Sequence, residues 1–120
     1  MVGCGAGGCM TKDEFRGLAL GFPESAEGSH MDHPDFRVRG KIFATLHDKE
    51  AWGMVKLTPE QQAAWVDTDA SFMPVPGGWG AKGCTYVVLK KAKKASVRRA
   101  LMEAWRNTAP KKLVEEFEGR

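Results

Sequence analysis

No apolar run in this 120-residue chain approaches the roughly 18 residues that a membrane-spanning helix requires, so no contact with a membrane is expected. Cysteine is scarce. Cys4, Cys9 and Cys84 cannot all pair, two of them fall in a glycine-rich leader, and no secretory signal pattern precedes them. Reduced thiols in a cytoplasm are therefore the expectation. Arrangements that carry catalysis are also missing. Ser25, Ser29, Ser71 and Ser96 fall in turns or at helix starts with no motif around them, Cys84 sits mid-strand, and no paired carboxylates stand out. His30 and His33, with Asp32 between them and His47 further on, are the only group resembling a metal site. Their spacing shares no helix face and no cysteine lies within a useful distance, so histidines that are buried or hydrogen-bonded are expected instead. The chain is read as a non-enzyme with no cofactor and no metal.

The leader contains a literal G-x-G-x-x-G at Gly3, Gly5 and Gly8. That pattern binds a pyrophosphate only when a strand precedes it and a helix opens from it, and only Met1 and Val2 stand before Gly3. Residues 1–10 are expected to be a mobile leader, with a single domain over 11–118. A hydrophobic fraction of 42% against 28% charged residues supports a folded core rather than disorder. The net charge of +3 is unevenly spread: residues 1–81 carry −4 and residues 82–120 carry +7. Such a split permits contact with nucleic acid or another anionic surface without requiring it.

Thr11-Lys12-Asp13-Glu14 forms a capping box, with Met10 and Phe15 at the staple positions. Phe15, Leu18, Ala19 and Phe22 recur at helical spacing until Gly21 and Pro23 end the helix. A short strand is predicted over 27–31, then a hairpin over 35–46 whose Arg39-Gly40 turn supplies a glycine for positive φ. That turn predicts Phe36 opposite Phe43 and Arg37 opposite Ile42. A strand over 51–57 follows the polar turn 47–50. Thr58-Pro59-Glu60-Gln61 is a second capping box with proline at N1, opening a short helix that ends near Asp67. Residues 71–75 read as an edge strand because of Pro74, 76–83 as a loop, and 84–89 as a strand. Val97, Leu101, Ala104, Trp105 and Thr108 mark one face of a long final helix, which Pro110 interrupts before Leu113, Val114 and Phe117. The expected fold is α+β: a mostly antiparallel sheet of five to six strands, packed by an N-terminal helix, a short middle helix and C-terminal helices.

In this order the chain resembles the MmcQ/YjbR family of small bacterial proteins. The resemblance is carried by Leu18-Ala19-Leu20 and Phe22-Pro23-Glu24, by 33–38 (HPDFRV) with Lys41-Ile42-Phe43-Ala44, and by Val55-Lys56-Leu57. It continues through 74–80 (PVPGGWG), Cys84-Thr85-Tyr86-Val87, Ala104-Trp105 and 109–113 (APKKL). It implies a topology like that of CyaY or of secretion chaperones. It also implies DNA binding through a double wing of two hairpins, and it brings no catalytic motif.

Cations at strand tips match such wings. Arg37, Arg39 and Lys41 crowd the first tip, Trp79 and Lys82 occupy the second loop, and Lys90, Lys91, Lys93, Lys94 and Arg98, with Arg99, form the densest basic cluster. These residues are the expected contacts to double-stranded DNA, weakly sequence-specific because no base-reading recognition helix is evident. Four to six phosphate contacts would give a log K against log salt slope of about −4 to −5. Two alternatives stand beside this reading. One is a protein-interaction module, homodimeric or with another chain; the other is a small-ligand binder around Trp52, Trp79 and His33.

Overall fold

Residues 10–30, 33–47 and 51–119 are described by the computed structural model, His30 through its backbone alone. The glycine pattern of the leader, Cys4, Cys9, Met31, Asp32 and the 48–50 turn lie outside the described residues.

Helix α1 (Lys12–Leu20) begins with the capping box read from the sequence: the Glu14 amide donates to Thr11 Oγ1 at 3.0 Å and the Thr11 amide to Glu14 Oε1 at 2.9 Å. Four strands follow: β1 (Ser25–His30), β2 (His33–Val38), β3 (Lys41–His47) and β4 (Trp52–Lys56). Strand β1 starts two residues before the expected 27, with the Ser25 amide bonded to the Phe22 carbonyl at 3.2 Å. Helix α2 (Pro59–Thr68) has the second complete capping box, on Thr58 and Gln61. Strand β5 (Phe72–Pro74) precedes a one-turn helix α3 (Gly78–Ala81), so the expected 76–83 loop is partly helical. Gly77, at φ +81°, lets the chain turn into α3, and Gly80 presses against Val75, whose carbonyl oxygen an added Cβ would meet at 1.7 Å. Strand β6 (Cys84–Val88), a short 3-10 turn (Leu89–Lys91), α4 (Lys94–Thr108) and α5 (Lys111–Glu118) complete the chain.

The strands form one antiparallel sheet in the order β1-β2-β3-β4-β6-β5. Pro74 sits on the edge strand, where its missing N–H costs no ladder bond. The Arg39-Gly40 turn has both central φ angles positive, +52° and +81°, the primed geometry that suits the strand twist. Arg37 pairs with Ile42 as that turn predicts, but Phe36 pairs with Ala44 and not with Phe43. A β-bulge between Phe36 and Arg37 accounts for the change.

Strand residues alternate between faces, and one face is covered by helices. Phe36, Val38, Phe43, Ala44, Leu46, Val55, Phe72 and Val87 meet Phe15 and Ala19 of α1 and Val97, Ala100, Leu101, Ala104 and Trp105 of α4 in one core. Trp105 is wholly buried and donates its indole N–H to the Pro23 carbonyl at 3.1 Å. Trp65 of α2 stacks on Phe72 at 4.7 Å and donates to Glu103 of α4 at 2.8 Å, closing this helical layer. Leu113 and Phe117 of α5 join the same side, with Phe117 edge-on to Trp105 at 5.1 Å. Among the described residues no helix crosses the opposite face apart from α3 at its rim, and on it Asp35, Thr45 and Cys84 are buried while Trp52, Met54, Lys56 and Tyr86 are partly exposed.

Candidate binding face of the sheet

Trp52, Met54 and Lys56 alternate on β4 with buried Gly53 and Val55, and thus project from the open face. Cross-strand register adds the partners on that face: Tyr86 opposite Met54, Cys84 opposite Lys56, Met73 opposite Tyr86, His47 opposite Trp52 and Thr45 opposite Met54. The rings form a continuous row. His33 lies 4.2 Å from His47, His47 stacks on Trp52 at 3.8 Å and 22°, and Trp52 meets Tyr86 at 4.0 Å. The Thr45 hydroxyl lies 3.3 Å from His47 Nε2.

Beyond this row is a groove of about 310 Å³, floored by Met54, Tyr86 and Cys84 and bounded by Ile42, Lys56, Val75 and Trp79. Trp79 is 64% exposed and Met73 49%, two of the three large apolar side chains that the described residues leave in solvent. Lys82 holds its ammonium 5.6 Å from the Trp79 ring centroid. Ile42 and Lys56 also line a second hollow of about 490 Å³, with Arg37, Lys41 and Asn107 around it. The apolar groove therefore adjoins a cationic hollow, which reaches around the sheet end to Asn107 and Thr108 of α4. Burial pushes the Cys84 thiol above its ordinary 9.0, against the opposing charges of Lys56 and Lys82.

The expected cations do not share one face. Strand β6 is antiparallel to β4, so Lys82 lies just before β6 at the end of the sheet that carries the Arg39-Gly40 turn, Lys41 and Lys56. Lys90 and Lys91 follow β6 at the opposite end, where the Leu89 amide meets the Ala51 carbonyl. Five strand residues separate the two groups, about 17 Å along the sheet. Lys93, Lys94 and Arg98 sit in the helical layer on the far side of the sheet, and Arg98 lies 5.7 Å from the Phe22 ring. Arg99 lines a separate groove between α2 and α4. The two tips and the 90–98 run thus lie at different ends of the sheet and partly in different layers.

Two of the tip cations are already neutralised. Arg37 grips the buried Asp35 with two hydrogen bonds, Nε to Oδ1 at 2.7 Å and Nη2 to Oδ2 at 3.0 Å, which raise its already high pKa. Arg39 pairs with Glu24 through both carboxylate oxygens, which raises the guanidinium and lowers the carboxyl. Among the described residues, Lys41, Lys56 and Lys82 form no ion pair. The histidine group expected not to bind metal is only partly described. Among the described residues no cluster of three or more His, Cys, Asp or Glu is placed to hold a metal ion. No described helix is long and apolar enough to cross a membrane.

Lys56, Met54, His47, Thr45, Cys84 and Tyr86 were not among the expected contacts. The first two had a signal in the alternation of Trp52, Met54 and Lys56 along a strand.

No curated protein matches the chain. The crystal structure of Deinococcus radiodurans protein DR2400, described by its DUF419 domain, aligns with a TM-score of 0.66 over 79% of this chain and 75% of that one. At 18% identity this likeness establishes a shared fold. A family model described as YjbR matches residues 20–107, from the end of α1 nearly to the end of α4. On that match, which covers most of the chain, the protein belongs to the YjbR family.

Proposed function

We propose that this protein is a non-catalytic, cytoplasmic binding domain that holds an anionic partner of the nucleic-acid class on the open face of its sheet. The observation that carries the reading is that the two hollows adjoin, sharing Ile42 and Lys56 in their linings. Apolar and aromatic surface lies on one side of that junction, and cations without acidic partners lie on the other. Isolated surface lysines are ordinary, but Lys41, Lys56 and Lys82 come from three elements and converge at one sheet end. The footprint is smaller than the wing model requires. Three phosphate contacts predict a salt slope of about −2 to −3 instead of −4 to −5.

Exposed Met73 and Trp79 favour a second reading, in which another protein docks on the same face. Salt separates the two, because apolar docking persists where phosphate contacts are screened.

Fluorescence anisotropy with labelled DNA at 50 and 200 mM salt tests the proposal. Joint replacement of Lys41, Lys56 and Lys82 by alanine is expected to abolish binding at 50 mM. Replacing Lys90, Lys91, Lys93 and Lys94 together is expected to leave it within about threefold, since those side chains only add a distant field. The reverse pattern, or no binding by the parent protein at 50 mM, refutes the proposal.

A further inference from the structure

We infer that the unit recognised on this face is a single unpaired nucleotide, its base in the groove walled by Trp79 and its phosphate on Lys41 and Lys56; this rests on the open-face reading above.

The groove volume, about 310 Å³, stands at the low end of small-ligand sites, which run from about 300 to 1,000 Å³. It has room for one planar group, not for a run of them. Its walls suit a ring. Tyr86 is braced by Trp52, which is in turn stacked on His47, so that wall is set before any ligand arrives. Trp79, held on the one-turn helix α3, supplies an exposed indole to the same lining. Met54 and Val75 complete an apolar lining, with Thr45 and His47, bonded to each other, at its edge. These are the ingredients that orient a heteroaromatic ring rather than an aliphatic chain. The anion site begins where the ring site ends, at Ile42 and Lys56, so the two groups of the ligand must be joined by a short spacer such as a sugar. Bases in a duplex are stacked and paired and cannot enter such a groove, whereas an unpaired base can.

The test uses the full chain at 50 mM salt with four probes: a single-stranded 12-mer, its duplex, the same strand without bases, and a nucleoside monophosphate as competitor. The intact single strand is expected to bind at least tenfold more tightly than the duplex or the base-free strand. Trp79→Ala is expected to weaken it about 5- to 150-fold, the range found when one stacking aromatic is removed. Trp79→Phe should restore most of the loss. Trp79 is exposed, so its truncation empties no part of the core, and an unchanged melting temperature checks that directly. Competition by the monophosphate would make a free nucleotide sufficient; competition by strands alone would require the polymer. Both outcomes support the inference. Equal binding of all DNA probes, or an unaffected Trp79→Ala variant, overturns it. If the lysine triple variant still loses binding in that case, the open-face reading survives without a base site; if it does not, both fall.

Discussion

Gly53 lies in β4 directly beneath the Phe15 ring, and replacing it with alanine tests how α1 is seated on the sheet. A Cβ at this position would stand 2.7 Å from both Cε2 and Cζ of Phe15 and 3.2 Å from Cε1. Carbon atoms in contact prefer about 3.5 to 4.0 Å, so the ring must retreat by roughly 0.8 Å or more. It has little freedom to do so, being wholly buried and packed against Phe36 at 6.1 Å between centroids. Overpacking of this kind costs about 1 to 3 kcal/mol. Loss of glycine's freedom in the unfolded chain returns about 0.4 to 1 kcal/mol. The net destabilisation is about 0 to 2.6 kcal/mol, a fall in melting temperature of up to roughly 10 °C for a domain of this size. Thermal unfolding followed by circular dichroism measures it. Gly17→Ala is the matched control, because Gly17 lies on the exposed side of α1 with nothing within 4 Å of an added Cβ. There the same substitution should stabilise by about 0.5 to 1 kcal/mol. A Gly53→Ala protein stabilised as much as Gly17→Ala would refute the packing of Phe15 on β4.

Three further outcomes are expected. Thr58→Ala removes the acceptor for the Gln61 amide at 3.1 Å and should cost about 1 kcal/mol in urea unfolding, with Thr58→Ser nearly neutral; equal loss in both variants would argue against the cap. The Glu24 carboxyl is held below its ordinary 4.5 first by its hydrogen bond to Arg39, so its contribution is fully present above that value and disappears as pH falls through the lowered one. Glu24→Gln should therefore lower stability at neutral pH and flatten the acid limb of a stability–pH profile; an unchanged limb contradicts the pair. In a protein carrying serine at positions 4 and 9, native Cys84 should resist iodoacetamide at pH 8 and react fully in urea, because burial both hides the thiol and raises its pKa. Rapid labelling without denaturant would show that the Cys84 thiol itself is exposed.

Local signals in the sequence matched the starts of α1 and α2 and the edge strand closely, because these depend on neighbouring residues. Both capping boxes are complete, and Pro74 marks the edge. The site was much less legible. Cations beside a glycine turn look available in one dimension, yet each arginine there has an acid that takes up its charge. Asp35 and Arg37 are two apart on one strand and so share a face, a signal the sequence did contain. Glu24 lies 15 residues from Arg39 and becomes its neighbour only when β1 and β2 pair. That Lys82, and not Lys90, lies beside Lys56 likewise depends on β6 running antiparallel to β4, a pairing made over a long stretch of chain. Strand order β4-β6-β5 is not sequential, and no local pattern announces it.

The bulge in β2–β3 decides which residues form the groove. If the register of the Arg39-Gly40 turn ran on unbroken, Phe36 would face Phe43, and strict alternation beyond Ile42 would send Ala44 and Leu46 to the open face. Thr45 and His47 would then point into the helical core, unpaired polar groups among Leu101 and Phe15, at a cost of about 1 to 3 kcal/mol each. One inserted residue reverses this. Phe43 and Ala44 are both wholly buried, Thr45 takes the place opposite Asp35, Leu46 returns to the core, and His47 reaches Trp52 on the open side. Ile42, before the irregularity, and Thr45 and His47, after it, thus meet on one face with Met54 and Lys56. The local hydrophobic pattern alone would admit either register; core burial of Leu46 and the polarity of its neighbours select the bulged one. The groove and the packed core are consequences of the same extra residue, so a substitution that irons out the bulge would dismantle the binding face and expose Leu46 together.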